Sequence, residues 1–283
     1  MKVEKNINNA RKFVLKAKSK GRIVGFVPTM GALHQGHLSL VREAKKDCDF
    51  VAVSIFVNPI QFSPKEDLLR YPRDFKKDKN LLNQEGINLL FYPSKESFYS
   101  ADFSTYAQET ILSKTLCGKS RPVHFQGICT VLVKLFNIIN PDIAYFGQKD
   151  YQQALIVKKL VRDFNFPIKI KILPIIRDEN NLAISSRNIY LNRQEKKDST
   201  SLHRALSKAK ELIAKGQRDS RKVLKEMRKI IIKNKTAKID YLAIRDADTL
   251  EPLENIRGRM VIALAVYLGK TRLIDNIILN VKK

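Results

Sequence analysis

RIVGFVPTMGALHQGHLSLVREAKKDCDFVAVSIFV, residues Arg22 to Val57, decides the fold. Arg22 to Val27 has the character of a buried strand, closed by Pro28 and by a turn containing Gly31 and Gly36. From His37 to Lys46 the apolar residues Leu38, Leu40, Val41 and Ala44 recur at helical spacing, and Phe50 to Val57 is again apolar and β-branched. Strand, glycine turn, helix and strand make a βαβ unit, whose parallel strands are joined by a right-handed crossover almost without exception. The turn after the first strand therefore lies at the carboxyl edge of the sheet, where open α/β folds bind ligands.

The alternation continues outward: a charged helix near Asp74 to Glu85, a strand Asn88 to Tyr92, a helix Gly127 to Ile139, a strand Ile143 to Phe146, a helix Tyr151 to Phe164 and a strand Ile168 to Leu173. This predicts a doubly wound, Rossmann-like α/β domain with a parallel sheet over residues 1–175. Ser94 to Gln126 is irregular and polar, and reads as loops with short elements, a candidate flap. Beyond Leu173 the character changes. Two basic helices, Ser201 to Lys215 and Ser220 to Lys233, precede strand-like runs at Ile239 to Arg245, Arg259 to Leu268 and Thr271 to Leu279. Gly269-Lys270 links the last two as a tight hairpin. A smaller α+β domain is expected over 176–283.

A chain of 283 residues, 44% hydrophobic and 29% charged, suits two unequal globular domains. The N-terminus lacks an apolar signal core and no apolar run reaches bilayer length, so a cytoplasmic, non-membrane protein is expected. Cys48, Cys117 and Cys129 are too dispersed for a disulfide framework or a C-x-x-C knuckle. The net charge of +25 invites a nucleic-acid reading. The pattern argues against it: lysines are scattered among acids along helical stretches, Trp is absent, and there is no aromatic ladder interleaved with Arg. No nucleic-acid partner is expected.

The turn PTMGALHQGH, Pro28 to His37, carries the chemistry. Gly31 and Gly36 let the backbone approach phosphates, and a helix starting near His37 offers unpaired N–H groups and a partial positive charge. His34 and His37 add side-chain donors. A lone histidine in such a turn would be read as a helix cap; two in H-x-G-H directly after a strand favour phosphate handling. Lys149 directly follows the strand Ile143 to Phe146 and so reaches the same carboxyl edge, although in so lysine-rich a chain composition alone would make it a surface residue. Asp150 could hold Mg²⁺ or a ribose hydroxyl, or equally cap the helix from Tyr151.

HQGH resembles the H-x-G-H signature of the nucleotidylyl transferase superfamily, and PTMGALHQGH is similar to the pantoate–β-alanine ligase (pantothenate synthetase) family within it. The likeness continues through VNPIQF (Val57 to Phe62), RYPR (Arg70 to Arg73), RPVHFQG (Arg121 to Gly127), FGQKDYQQ (Phe146 to Gln153) and SSRNIYL (Ser185 to Leu191). These motifs span both expected domains.

The resemblance implies that pantoate attacks the α-phosphorus of ATP to give pantoyl adenylate and pyrophosphate, after which β-alanine displaces AMP. It implies ATP contacts at Met30, Gly31, Ala32, Leu33, His34, Gln35, Gly36 and His37, at Gly147, Gln148, Lys149 and Asp150, and at Ile176, Ile184, Ser185, Ser186 and Arg187. His37, His34, Lys149 and Arg187 become the catalytic set, with His37 as proton donor, and Mg²⁺ bridges the triphosphate with Asp150 as its ligand. Gln61 and Gln153 become the pantoate-binding amides, with Asn58 and Tyr71 as further substrate contacts; turn or packing roles remain open for the last two. Arg121 and His124 are flap candidates for the substrates or phosphates, or merely solvated. A homodimer is implied, with the C-terminal domain closing over the nucleotide. Asn180-Asn181 departs from the family pattern, which has Asp-Gly there; Asn tolerates positive φ, so the turn can survive. The rivals are a nucleotidylyl transferase for a phosphate-bearing acceptor, sharing only the H-x-G-H corner, and a basic RNA-binding module.

Overall fold

The computed structural model describes residues 1–64 and 66–281. They form two compact units. The first comprises residues 1–64, 66–114, 118–147 and 153–174; the second comprises 115–117, 148–152 and 175–281.

In the first unit six parallel strands make one sheet: β1 (Lys2–Glu4), β2 (Val24–Thr29), β3 (Phe50–Ile55), β4 (Leu89–Phe91), β5 (Ile143–Gly147) and β6 (Lys169–Leu173), in the order β1-β4-β3-β2-β5-β6. Strand order reverses between β2 and β5, so their carboxyl ends, Thr29 and Gly147, flank the topological switch point of the sheet. The helices are α1 (Ile7–Lys18), α2 (Gln35–Asp47), α3 (Phe75–Gln84), the single turns α4 (Lys95–Phe98) and α5 (Cys117–Ser120), α6 (His124–Ile139) and α7 (Tyr151–Asp163). Leu40, Val41 and Ala44 of α2 pack with Val27, Val51, Val53 and Tyr145 of the sheet. Each fully buried aliphatic side chain there contributes about 1.5–3 kcal/mol.

Several boundaries differ from those expected. β2 runs through Pro28 to Thr29 instead of ending at Val27. Its pairing with β5 covers only Gly25 and Phe26, so at Pro28 the strand is paired on one side only, where a residue without an N–H is tolerated. α2 begins at Gln35, two residues before His37, because His34 itself caps it. α1 and β1, beyond the elements expected, occupy the N-terminus, with Ala10, Val14 and Ala17 on the buried side of α1.

The second unit packs α8 (Arg193–Ala214) and α9 (Ser220–Ile232) on an antiparallel sheet of β7 (Ala237–Asp246), β8 (Gly258–Leu268) and β9 (Thr271–Val281). Leu202, Leu206, Val223, Met227, Ile262 and Leu264 form its core. α8 starts eight residues before Ser201, since the polar segment 193–200 has no apolar stripe of its own. Its start is fixed by a capping box: Asn192 accepts from the Glu195 N–H at 2.9 Å and Glu195 accepts from the Asn192 N–H at 2.9 Å. Gly269 takes a left-handed φ of 55° at the first position of the β8–β9 hairpin.

Candidate active site

The turn that leaves β2 is built from its neighbours. The Thr29 hydroxyl donates to the Ser54 carbonyl at 2.8 Å and accepts from the Gly31 N–H at 3.1 Å. Gly31 has φ 81°, and a Cβ there would lie 2.9 Å from Asp78 Oδ2 and 3.0 Å from Ile55 Cγ2. Ala32 follows at φ 51°, a left-handed conformation that costs a residue with a Cβ about 1–2 kcal/mol. Asp78, on α3 and only 2% exposed, offsets that cost: Oδ2 accepts the Ala32 N–H and Oδ1 the Leu33 N–H, each at 2.8 Å. Burial pushes the Asp78 carboxyl above the ordinary range, and the two N–H donors oppose that push.

His34 caps α2, its Nδ1 accepting the Gly36 N–H at 3.1 Å. The capping role and the phosphate role are thus not alternatives. Because Nδ1 accepts, the proton of neutral His34 sits on Nε2, leaving that edge of the ring as a donor. The half-buried rings of His34 and His37 stand 4.1 Å apart at 37°. Gly36 makes room for this: a Cβ would lie 2.9 Å from His34 Cε1. An alanine there would push the imidazole aside. Gln35, between them, faces out and is exposed.

Beyond β3, the 3₁₀ turn Pro59–Gln61 and its N-cap Asn58 bring two of the expected substrate residues, Asn58 and Gln61, close to one of the expected ATP residues. Asn58 Nδ2 donates to Gln61 Oε1 at 3.1 Å and to the Gly127 carbonyl at 3.0 Å, and Gln61 Nε2 lies 2.9 Å from Met30 Sδ. Gly127 lets α6 press against this turn, since a Cβ there would be 2.5 Å from Gln61 Cα. His124 Nδ1 bonds the Gln61 carbonyl at 3.0 Å, Arg121 Nη1 lies 2.8 Å from His124 Nε2, and Arg121 pairs with Glu66 through both carboxylate oxygens at 2.6 and 2.8 Å. Arg121 and His124, read as flap candidates, brace the backbone of Gln61. Tyr71 is 6% exposed and meets Phe62 edge-on at 6.0 Å. Gln153 is half-buried in the first turn of α7.

In the second unit the 3₁₀ turn Gln148–Asp150 directly follows β5 in the chain. Asn276 of β9 clamps it, its Nδ2 donating to the carbonyls of Gln148 and Lys149 at 3.0 Å each while its Oδ1 accepts from Gln148 at 3.2 Å. Lys149 Nζ stands 3.5 Å from Asp150 Oδ2. Ile176 and Ile184 are joined by the Ile184 N–H to Ile176 carbonyl bond at 3.0 Å. The turn between them is held by Asp178 Oδ1, which accepts from the N–H groups of Asn180 and Leu182 at 2.9 Å each, and by Asn181 at φ 63°. Asn181 therefore takes the left-handed position that glycine would fill. The Ser185 hydroxyl accepts the Arg187 N–H at 3.3 Å and caps the 3₁₀ helix Ser186–Tyr190.

A family model described as pantoate–β-alanine ligase matches residues 2–278. The chain belongs to the pantoate–β-alanine ligase family. Among relatives of this family, a protein named pantothenate synthetase from Caldicellulosiruptor saccharolyticus is 52% identical over 281 residues, covering 99% of this chain and all of the relative. The crystal structure of pantothenate synthetase from Thermus thermophilus superposes with a TM-score of 0.93 at 40% identity, over 98% of this chain and 99% of that one. The pantoate–β-alanine ligase of Francisella tularensis, described as complexed with β,γ-ATP and β-alanine, gives 0.80 at 34% identity over 98% and 97%. Family membership makes the chain an enzyme, a ligase of pantothenate biosynthesis.

Four residues that shape these segments went unnoticed in the sequence: Thr29, Asp78, Tyr99 and Asn276. Asp78 had a signal, because it lies three residues after Phe75 and four before Leu82, an acid on the apolar stripe of an otherwise solvated helix. Thr29 lies within PTMGALHQGH itself, whereas Tyr99 and Asn276 act through contacts distant in the chain, with Asn58 and with Gln148 and Lys149, and no local pattern marks them.

Proposed function

We propose that the chain joins pantoate to β-alanine through a pantoyl adenylate, with ATP cleaved to AMP and pyrophosphate. The observation that carries this reading is the turn after β2, where a capped helix N-terminus and two adjacent imidazoles meet at the switch point of the sheet. The pantoate carboxylate is already ionised, so its attack on the α-phosphorus needs charge neutralisation and in-line placement, not a general base. Pyrophosphate leaves as the carboxylate–phosphorus bond forms. In the second step the neutral amine of β-alanine attacks the acyl carbon, the C–O bond to AMP breaks, and the amine loses one proton.

His34, as an Nε2–H donor, and His37 meet the phosphates, with His37 donating a proton as pyrophosphate departs. Lys149 and Arg187 complete the catalytic set, and Met30–Gly36, Gly147–Asp150, Ile176, Ile184, Ser185 and Ser186 line the nucleotide. Gln61 and Gln153 bind pantoate, with Asn58 and Tyr71 beside them. Residues 1–175 serve ATP and pantoate, and 176–283 act as the lid domain. Among the described residues no group of three His, Cys, Asp or Glu side chains is placed to hold a metal alone. Mg²⁺ nevertheless fits in its usual mode, on the triphosphate with a single protein carboxylate, Asp150, where it would neutralise phosphate charge. The working form is a homodimer in the cytoplasm. All three cysteines are free thiols, and among the described residues no helix is long and apolar enough to cross a membrane.

The test is to mix protein, ATP, Mg²⁺ and pantoate. Pyrophosphate should appear at up to one equivalent per site, and free AMP only after β-alanine is added. His37→Ala should abolish the pyrophosphate burst; a full burst from that variant would remove the role given to His37.

A further inference from the structure

We propose that Asn58 and Tyr99 fix the amide of Gln61 so that it offers its NH₂ group, and not its carbonyl, to the acid that is adenylated. This rests on the assignment of Gln61 to pantoate made above. The polarity begins at an atom with no choice. The main-chain carbonyl of Gly127 can only accept, so the group Asn58 turns toward it, at 3.0 Å, is its Nδ2. The second Nδ2 hydrogen goes to Gln61 Oε1 at 3.1 Å. On the far side of the same amide, Asn58 Oδ1 accepts the Tyr99 hydroxyl at 2.9 Å. Turning Asn58 over would set its oxygen against the Gly127 carbonyl; turning Gln61 over would set two NH₂ groups against each other.

Gln61 Nε2 is therefore directed away from Asn58, and its partner there is the Met30 thioether sulfur at 2.9 Å, a weak acceptor. A carboxylate or hydroxyl oxygen is a better one, so this position selects an acceptor oxygen on the substrate. Asn58, Gln61 and Tyr99 are 1%, 6% and 8% exposed, which keeps water from competing for these bonds. The Tyr99 ring is held by edge contacts with Phe98 at 5.0 Å and Phe103 at 4.7 Å and by Lys134 Nζ, 5.5 Å from its centroid. With both N–H bonds already spent on protein acceptors, Asn58 is a positioning residue, as is Tyr99.

The experiment compares Tyr99→Phe, Asn58→Asp and Gln61→Ala in the full chain by KM for pantoate, KM for ATP, kcat and melting temperature. Tyr99→Phe keeps the ring and deletes one donor, so KM for pantoate should rise about 5- to 10-fold, the effect of one hydrogen bond, with KM for ATP unchanged. Asn58→Asp puts an acceptor where a donor is needed and draws the Gln61 NH₂ inward; KM for pantoate should rise on the order of 100-fold, beyond the effect of Gln61→Ala. If Asn58→Asp does not fold, Tyr99→Phe decides. Should Gln61→Ala leave KM for pantoate unchanged, the assignment of Gln61 falls and the proposal with it. Should Gln61→Ala raise it while Tyr99→Phe does not, or while Tyr99→Phe shifts the KM for ATP equally, the proposal alone is overturned.

Discussion

Asp78 holds the main chain of Leu33: Oδ1 of this buried acid accepts the Leu33 N–H at 2.8 Å, while Oδ2 does the same for Ala32. A carboxylate on α3 thereby fixes the turn that aims His34, although it lies 44 residues further along the chain. Asp78→Ala leaves two N–H groups without their acceptor and should destabilise the fold by about 2–4 kcal/mol. Denaturant unfolding measures this. A loss below about 1 kcal/mol would mean that the turn keeps its shape without the acid.

Gly36→Ala separates activity from stability. Alanine is favoured over glycine within a helix by at most about 1 kcal/mol, and losing the His34 cap costs a similar amount, so the melting temperature should change little. The new Cβ, 2.9 Å from His34 Cε1, must displace the imidazole, and kcat should fall by at least about tenfold. Equal activity in the variant would show that the ring is free to move without consequence.

Asn181→Gly should stabilise the second unit. Asn181 holds φ 63°, and glycine at that position avoids a Cβ penalty of about 1 kcal/mol, partly offset by its greater freedom in the unfolded chain. Asn181→Ala should lower the melting temperature, and a rise would contradict the left-handed assignment.

The acid limb of stability has a named contributor. The Asp47 carboxylate accepts from Lys171 Nζ at 2.6 Å and from the Tyr145 hydroxyl at 2.7 Å, and the Lys171 bond first, then Tyr145, holds its pKa below the ordinary carboxylate value. A depressed folded pKa contributes stability that is present above the unfolded value, about 3.9, and is lost as pH falls through the folded one. Lys171→Met should therefore be less stable than the parent near neutrality, with the gap closing only as the pH falls below the unfolded carboxylate value of about 3.9. Curves that stay parallel from neutrality down through the acid transition would exclude this pair as a contributor.

The βαβ unit at Arg22 to Val57 was legible because its periodicity changes from strand to helix and back within one uninterrupted stretch, and the hairpin at Gly269 because glycine there answers a backbone need. The start of α8 was hidden by a polar first two turns, although Asn192 and Glu195 stood at capping-box spacing. The H-x-G-H turn announced its histidines but not the reason for Gly36, which is the His34 ring. Asn58 could be read as a candidate substrate contact, yet its hydrogen bonds run to Gly127 and Tyr99, 69 and 41 residues away. Such partners leave no trace in local spacing. The same holds for Asn276, which clamps the carbonyls of Gln148 and Lys149 from the far end of the chain.

The reaction itself is tested most directly by following oxygen. With pantoate labelled with heavy oxygen in its carboxylate, attack on the α-phosphorus followed by cleavage of the acyl C–O bond must leave one labelled oxygen on the AMP released when β-alanine is added, and mass spectrometry of the AMP reads it. Label in AMP, with unlabelled pyrophosphate, is the result predicted here; unlabelled AMP, or ADP with labelled phosphate, would contradict the acyl adenylate.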